Sequence, residues 1–527
     1  MSNYHQYACS SSAGLSGLSV FHAEFRRIKA FILLTVLSAC WLLIAVPGLA
    51  GAADDAEQGN PVSSEPQPAQ KLIVRTEETH ELPESLQKYM KQKKVDPEEI
   101  SIFVQDVNAD VPLLQYNADV LRNPASTMKL VTTWSALKVL GPSWSWDTEA
   151  WLRGELKGDV LEGALVLKGY GDPFLVYETF WQFVHDLRLK DIREITGDLI
   201  IDDSFFELPT TDPGAFDNQP TRVYNAPPAA LMFNFNATRF MFTPDVAAGS
   251  VKVTTLPRLS RTMIDNEIEL VKGRCRSSNT GPVILPESDG RILVRGQFAD
   301  GCGRREFQRL VSDPRQLVFD AFKSIWEDLG GRINGDLKQG RVRDSDSRFH
   351  VHTSRPLAEQ VRLINKWSNN VMTRQLMLSL GAKYYGAPAT LDKGRMAVMD
   401  VLHEQGISTE GLVIDNGSGL SRETRISANQ LGSLLQEIWR DPYMPELLNS
   451  LPLLGEDGTL ARRFRDSAQK GRSRLKTGTL NGVTALAGYM LTRNGKRMVI
   501  VMQHNGRHAG SAGHALQNRL LEWVFEQ

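Results

Sequence analysis

The sequence predicts an α+β protein, with helices packed on an antiparallel sheet built from both ends of the chain and a large, mainly β region inserted between them. Three observations carry this. From Leu357 onward apolar residues recur at helical spacing. The C-terminal part then reads as strand, turn, strand, turn, strand and a closing amphipathic helix. Between about Trp144 and Arg343 the texture changes to short strand-like runs punctuated by Gly, Pro and Asp.

Taken in order, residues 75–100 are charged and helical in pattern. Residues 101–107 read as a strand, followed by a turn at Asn108-Ala109-Asp110 and a short strand over 112–116. Asn123-Pro124-Ala125 leads into a helix starting near Ser126, with Leu130, Val131, Trp134, Ala136 and Leu137 on its apolar side. The inserted region offers strands at 161–168, 194–202, 235–243, 251–256 and 291–296, and only short helical stretches such as 315–328. Helices follow at 358–367, 370–380 and 428–439. Strands at 475–479, 484–492 and 497–503, with an Asn494-Gly495 turn, precede a terminal helix over 513–525.

At 527 residues the chain is too long for one ordinary core. Its 42% hydrophobic and 23% charged content is that of a globular protein, and a net charge of -1 gives no footing for nucleic acid. Arg26, Arg27 and Lys29 precede an uncharged run from Ala30 to Ala53, with a small-x-small cleavage site at Ala50-Gly51-Ala52. This predicts a signal peptide over 1–52, export to the periplasm, and a Pro-, Ser- and Gln-rich linker over 53–72. Left uncut, the run is long enough to anchor the protein in a membrane. Two cysteines lie beyond the leader, Cys275 and Cys302, and in an oxidising compartment they read as a disulfide; two separate buried thiols are the other reading. No His/Cys cluster has metal-site spacing, and no cofactor motif is present.

Three short signals carry chemistry: Ser126-Thr127-Met128-Lys129, Ser368-Asn369-Asn370 and Lys476-Thr477-Gly478. Together, in this order, they describe a serine acyl-transfer site. Ser126 and Lys129 are three apart and share a helix face. A lysine serves as a base only when neutral, so Lys129 needs desolvation or a cationic neighbour, and Lys476 is a candidate for that neighbour. Read alone, Ser126-Thr127-Met128-Lys129 is better explained as an N-cap serine followed by a surface lysine than as a catalytic pair. Ser368 suits a proton relay and Asn370 a contact to substrate amide or an orienting contact to Lys129; a polar helix junction is the plainer reading. Gly478 leaves a strand face bare, as room for a substrate strand, while Lys476 and Thr477 suit a terminal carboxylate.

With Asn123-Pro124-Ala125, Gly169-Tyr170-Gly171-Asp172-Pro173, Tyr224-Asn225-Ala226-Pro227-Pro228, Gly417-Ser418-Gly419-Leu420-Ser421-Arg422 and Thr479 added, the chain resembles low-molecular-mass penicillin-binding proteins of the D-alanyl-D-alanine carboxypeptidase/endopeptidase type, serine peptidase family S13. The 242-residue gap from Ser126 to Ser368 fits that family, whereas serine β-lactamases have a much shorter one. The resemblance implies a β-lactamase/transpeptidase-like domain over 73–148 and 345–527, with accessory domains inserted over 149–344, the smaller about 240–305. It implies Ser126 as nucleophile, Lys129 as its base, and Ser368, Asn370 and Lys476 completing the catalytic set. Backbone N–H groups of Ser126 and Thr479 would form the oxyanion hole. Thr477, Gly478 and Thr479 would hold substrate, with Asp217 and Arg422 flanking the cleft. Peptidoglycan stem peptides are the implied substrates and β-lactams the implied covalent inhibitors. Peripheral membrane association and oligomeric state are left open, as is a binding scaffold with negligible turnover. Trp367 and Asp415-Asn416-Gly417 depart from the expected pattern.

Overall fold

The computed structural model describes residues 80–259, 262–275 and 281–527. The leader, the linker and the start of the 75–100 helical stretch lie outside the described residues. Among the described residues no helix is long and apolar enough to cross a membrane.

A five-stranded antiparallel sheet joins the two ends of the chain. Its strand order is Ser473–Leu480, Val483–Leu491, Arg497–Asn505, Ile100–Asp106, Leu114–Tyr116. The central strands are apolar almost without interruption because both faces are covered. Ile100, Ile102, Val104, Met498, Ile500 and Met502 pack on the helices Glu84–Lys93 and Ala509–Phe525. Phe103, Val499, Val501 and Tyr489, on the opposite side by the two-residue period, pack on a helical layer that includes Lys129–Leu140, Leu357–Trp367, Asn370–Tyr385 and Ala428–Arg440. The Ser473–Leu480 strand is an edge of this sheet, and its outer side pairs with the segment 452–454 only at its first half.

The inserted region has its own cores. A seven-stranded sheet drawn from residues 147–353 packs on Tyr177–Leu189 and Pro314–Asp328. Two three-stranded sheets between Thr238 and Arg309 enclose a separate cluster around Phe240, Phe242, Val294 and Phe298. Cys275 and Cys302 are joined by a disulfide there.

Several expectations need correcting. Helices in the insertion are not short: Pro314–Asp328 spans 15 residues and Tyr177–Leu189, unforeseen, spans 13. Phe180, Phe183, Val184 and Leu187 do recur at helical spacing, but aromatics favour strands and mask the signal. The strand read at 194–202 is broken into Glu194–Ile195 and Leu199–Asp202. Gly197 sits at the break, where a Cβ would lie 2.6 Å from the Gly163 carbonyl oxygen. The charged helix is confined to Glu84–Lys93, ended by Lys94 in the left-handed conformation.

Candidate active site

The site forms where the open edge strand meets the first turn of the Lys129–Leu140 helix. Ser126 does not begin that helix; it lies in a 3₁₀ turn, Ala125–Met128, that feeds it. Residues three apart eclipse in a 3₁₀ turn, which aligns Ser126 with Lys129. The turn is braced from behind. Asn123 accepts from the Ala125 N–H (2.9 Å) and donates to the Ser421 carbonyl (2.8 Å). Asn505 holds both the N–H and the carbonyl of Asn123, at 2.7 and 3.0 Å. Ala125 sits at φ 45°, a costly conformation for a residue with a Cβ, so the surroundings must enforce it.

Lys129 is fully buried. Its Nζ lies 3.1 Å from Ser126 Oγ, 2.6 Å from Asn370 Oδ1 and 2.5 Å from the Ser418 carbonyl oxygen. Burial, then the charges of Lys476 and Arg374, hold the amine well below its ordinary value. Lys476 is the cationic neighbour anticipated from sequence. Burial pushes Lys476 down to about 7 and Arg374 to about 10.

Ser368 and Asn370 reach one cleft through a helix–helix junction. Ser368 caps Leu357–Trp367 in the left-handed conformation, and Asn369 caps the next helix by accepting from the Met372 N–H at 3.0 Å. This abrupt turn leaves Ser368 Oγ 2.9 Å from Lys476 Nζ, while Asn370 faces Lys129. Trp367 is about half exposed beside them, at 49%.

On the edge strand, Ser473 and Leu475 pair outward with Leu454 and Pro452. By the two-residue period, the backbone groups of Thr477 and Thr479 also point outward. Gly478 needs a different explanation from the sequence expectation. A Cβ there would lie 2.7 Å from the Pro124 carbonyl oxygen and 2.9 Å from the Ser126 nitrogen. The bare face is filled by the Ala125–Met128 turn, and the glycine lets the two backbones meet. Any substrate strand must add along the edge instead.

Arg422 and the Asp217 loop come together at the rim. The Arg422 guanidinium lies over the Phe216 ring (5.1 Å) and donates to the Asn481 carbonyl in the turn after the edge strand. The Asp217 carboxylate is held within its own loop by the Tyr224 hydroxyl (2.7 Å) and the Asn225 amide (2.8 Å). His504 is buried, with its Nε2 3.4 Å from the Glu99 carboxylate.

Three contributors went unnoticed in the sequence. Arg374 carried a usable signal, since it stands four residues after Asn370 on one helix face. The Ser418 contact is made by a carbonyl, which no side-chain pattern reports. Thr459, whose hydroxyl lies 2.8 Å from that of Thr477, comes from a remote loop.

The chain is similar to known proteins over most of its length. Residues 82–527 match the model of the D-Ala-D-Ala carboxypeptidase 3 (S13) family. A D-alanyl-D-alanine carboxypeptidase of Actinomadura sp. (strain R39) is 31% identical over 424 residues, covering 77% of this chain and 78% of that protein. The D-alanyl-D-alanine carboxypeptidase DacB of Haemophilus influenzae is 24% identical over 425 residues, covering 80% and 88%. The crystal structure of penicillin binding protein 4 (dacB) from Haemophilus influenzae shares the fold, with a TM-score of 0.71 at 24% identity over 84% of this chain and 99% of that one. The chain belongs to the D-Ala-D-Ala carboxypeptidase 3 (S13) family of serine peptidases.

Proposed function

We propose that this protein is a serine-type D-Ala-D-Ala carboxypeptidase and DD-endopeptidase that hydrolyses peptidoglycan stem peptides and cross-links through an acyl-enzyme on Ser126. The contacts of Lys129 Nζ carry this reading. A neutral amine has two hydrogens and one lone pair. Asn370 Oδ1 and the Ser418 carbonyl oxygen are acceptors and take the hydrogens, which leaves the lone pair for the Ser126 hydroxyl. Burial and two nearby cations favour that neutral form.

Ser126 Oγ then attacks the D-alanyl carbonyl as its proton passes to Lys129. The backbone N–H groups of Ser126 and Thr479 meet the developing oxyanion, and the bare Cα of Gly478 permits their approach. Ser368, bonded to Lys476, relays a proton to the departing amine: D-alanine in a carboxypeptidase cycle, or the neighbouring stem in an endopeptidase cycle. Water, activated by the same base, clears the ester. Thr477 and Thr479 receive the terminal carboxylate, and the open strand edge receives the peptide backbone as an added strand. Asp217 and Arg422 border the region where the stem side chain lies.

β-Lactams follow the same path and stall at the ester. The Arg26-Arg27-x-Lys29 cluster and the apolar run after it support delivery to the periplasm, where this substrate resides. The test is intact-mass analysis after incubation with benzylpenicillin, together with D-alanine release from a pentapeptide stem. The native protein should gain one benzylpenicillin mass and release D-alanine, and Ser126→Ala should do neither. A native protein that is folded yet shows no adduct even at millisecond quench times, and no release from any muropeptide, would leave the binding scaffold as the better account.

A further inference from the structure

Thr459 lies in the loop after the Met444–Ser450 helix, in a 3₁₀ turn, Gly458–Leu460, on the open side of the edge strand. Its hydroxyl is exposed and 2.8 Å from the Thr477 hydroxyl. The turn is fixed to the helix that carries Ser368. The buried Lys366 ammonium contacts both carboxylate oxygens of Asp457, at 2.8 and 2.6 Å, and Asp457 also accepts from the Leu453 N–H at 2.8 Å. Gly458 packs so tightly that a Cβ would lie 2.6 Å from the Lys366 carbonyl oxygen. Thr459 is therefore held at a set place relative to both walls of the cleft.

Two hydroxyls in contact share one proton between their oxygens and leave one proton free. An anion arriving beside Thr477 selects the order in which Thr459 donates to Thr477 Oγ1 and the Thr477 proton turns outward. A hydroxyl that accepts one hydrogen bond also donates a stronger one. We propose that Thr459 is a positioning residue for the terminal carboxylate of the substrate, aiming the Thr477 hydroxyl proton into the cleft. This inference rests on the acyl-transfer reading above and adds specificity for a carboxylate-bearing substrate.

Thr459→Val keeps the shape and removes the donor, and Thr459→Ser restores it. Two probes separate aiming from general damage. Benzylpenicillin carries the carboxylate, and phenylboronic acid adds to the serine hydroxyl without one. The expected result is acylation by benzylpenicillin slowed at least fivefold in Thr459→Val, with phenylboronic acid affinity within twofold of native and Thr459→Ser close to native for both. Equal losses for both probes in Thr459→Val would assign the residue a purely structural role and overturn the proposal. No loss for either probe would overturn it as well. If the native protein reacts with neither probe, the acyl-transfer reading itself falls and this inference falls with it, a result distinct from a native protein that reacts and a variant that does not differ.

Discussion

In the proposed mechanism Lys129 is the base, and the groups that keep its amine neutral can be removed one at a time. A nearby cation disfavours the charged lysine, so deleting one raises the pKa of Lys129. Arg374 is suited to this test because its hydrogen bond goes to the Ala226 carbonyl (2.9 Å) and not to Ser126 or Ser368. With Arg374→Gln, the acid limb of the pH profile for benzylpenicillin acylation should move to higher pH, with the plateau rate less affected. A profile that does not move would remove Arg374 from the tuning of the base. Gly478→Ala probes the contact between edge strand and nucleophile turn. The added methyl must displace the Ser126 backbone by a few tenths of an ångström or more. Acylation should fall on the order of 10²-fold, since small misplacements of a nucleophile carry losses of that size. Circular dichroism and thermal melting should show the variant still folded. The three motif ends were legible at this scale because acyl transfer restricts which residue types can serve. The Ser418 carbonyl was not, because any residue supplies a carbonyl and only its placement makes it a ligand.

At the level of elements, the residues that converge on the cleft sit at ends and junctions. Ser126 precedes a helix, Ser368 ends one, Asn370 opens the next, and Lys476 lies on an edge strand. Caps therefore matter more here than helix interiors. Asn369→Ala removes the acceptor for the Met372 N–H and should lower stability by about 1 kcal/mol, read by urea denaturation. Because Asn369 lies between Ser368 and Asn370, acylation should slow as well, whereas the capping-box variant Ser427→Ala at the Ala428–Arg440 helix, which touches neither residue, should chiefly lower stability. Equal kinetic losses in both variants would argue against a special role for the junction. Most elements of the penicillin-binding-like part were readable, since amphipathic helices and the apolar run 498–502 carry strong periodic signals. The Ala125–Met128 turn was read as the start of a helix because 3₁₀ and α turns share their apolar spacing over so few residues. Tyr177–Leu189 was missed because residue preference and spacing pointed opposite ways.

Across the whole molecule, the disulfide and the catalytic cleft belong to different packing clusters. Cys302 borders the small cluster around Phe242 and Phe298, while the helices behind Ser126 form another. Closing a loop of 27 residues stabilises by about 3.5 kcal/mol through the unfolded chain. The double variant Cys275→Ser with Cys302→Ser should thus melt earlier or in two steps, yet keep its benzylpenicillin acylation rate within about twofold. A parallel loss of acylation would mean that the inserted sheets steady the cleft. The α+β class and the mainly β character of the insertion were legible in the sequence, and the motif residues it singles out, Ser126, Lys129, Ser368, Asn370 and Lys476, are ones the fold brings together, because periodicity and side-chain chemistry are written locally. Only folding decided that Gly478 backs the Ser126 turn, that the Ser418 carbonyl meets Lys129 and that Thr459 meets Thr477. A bare Cα, a carbonyl and a pair of hydroxyls carry no local pattern that names their partners, and only folding brings them within reach of one another.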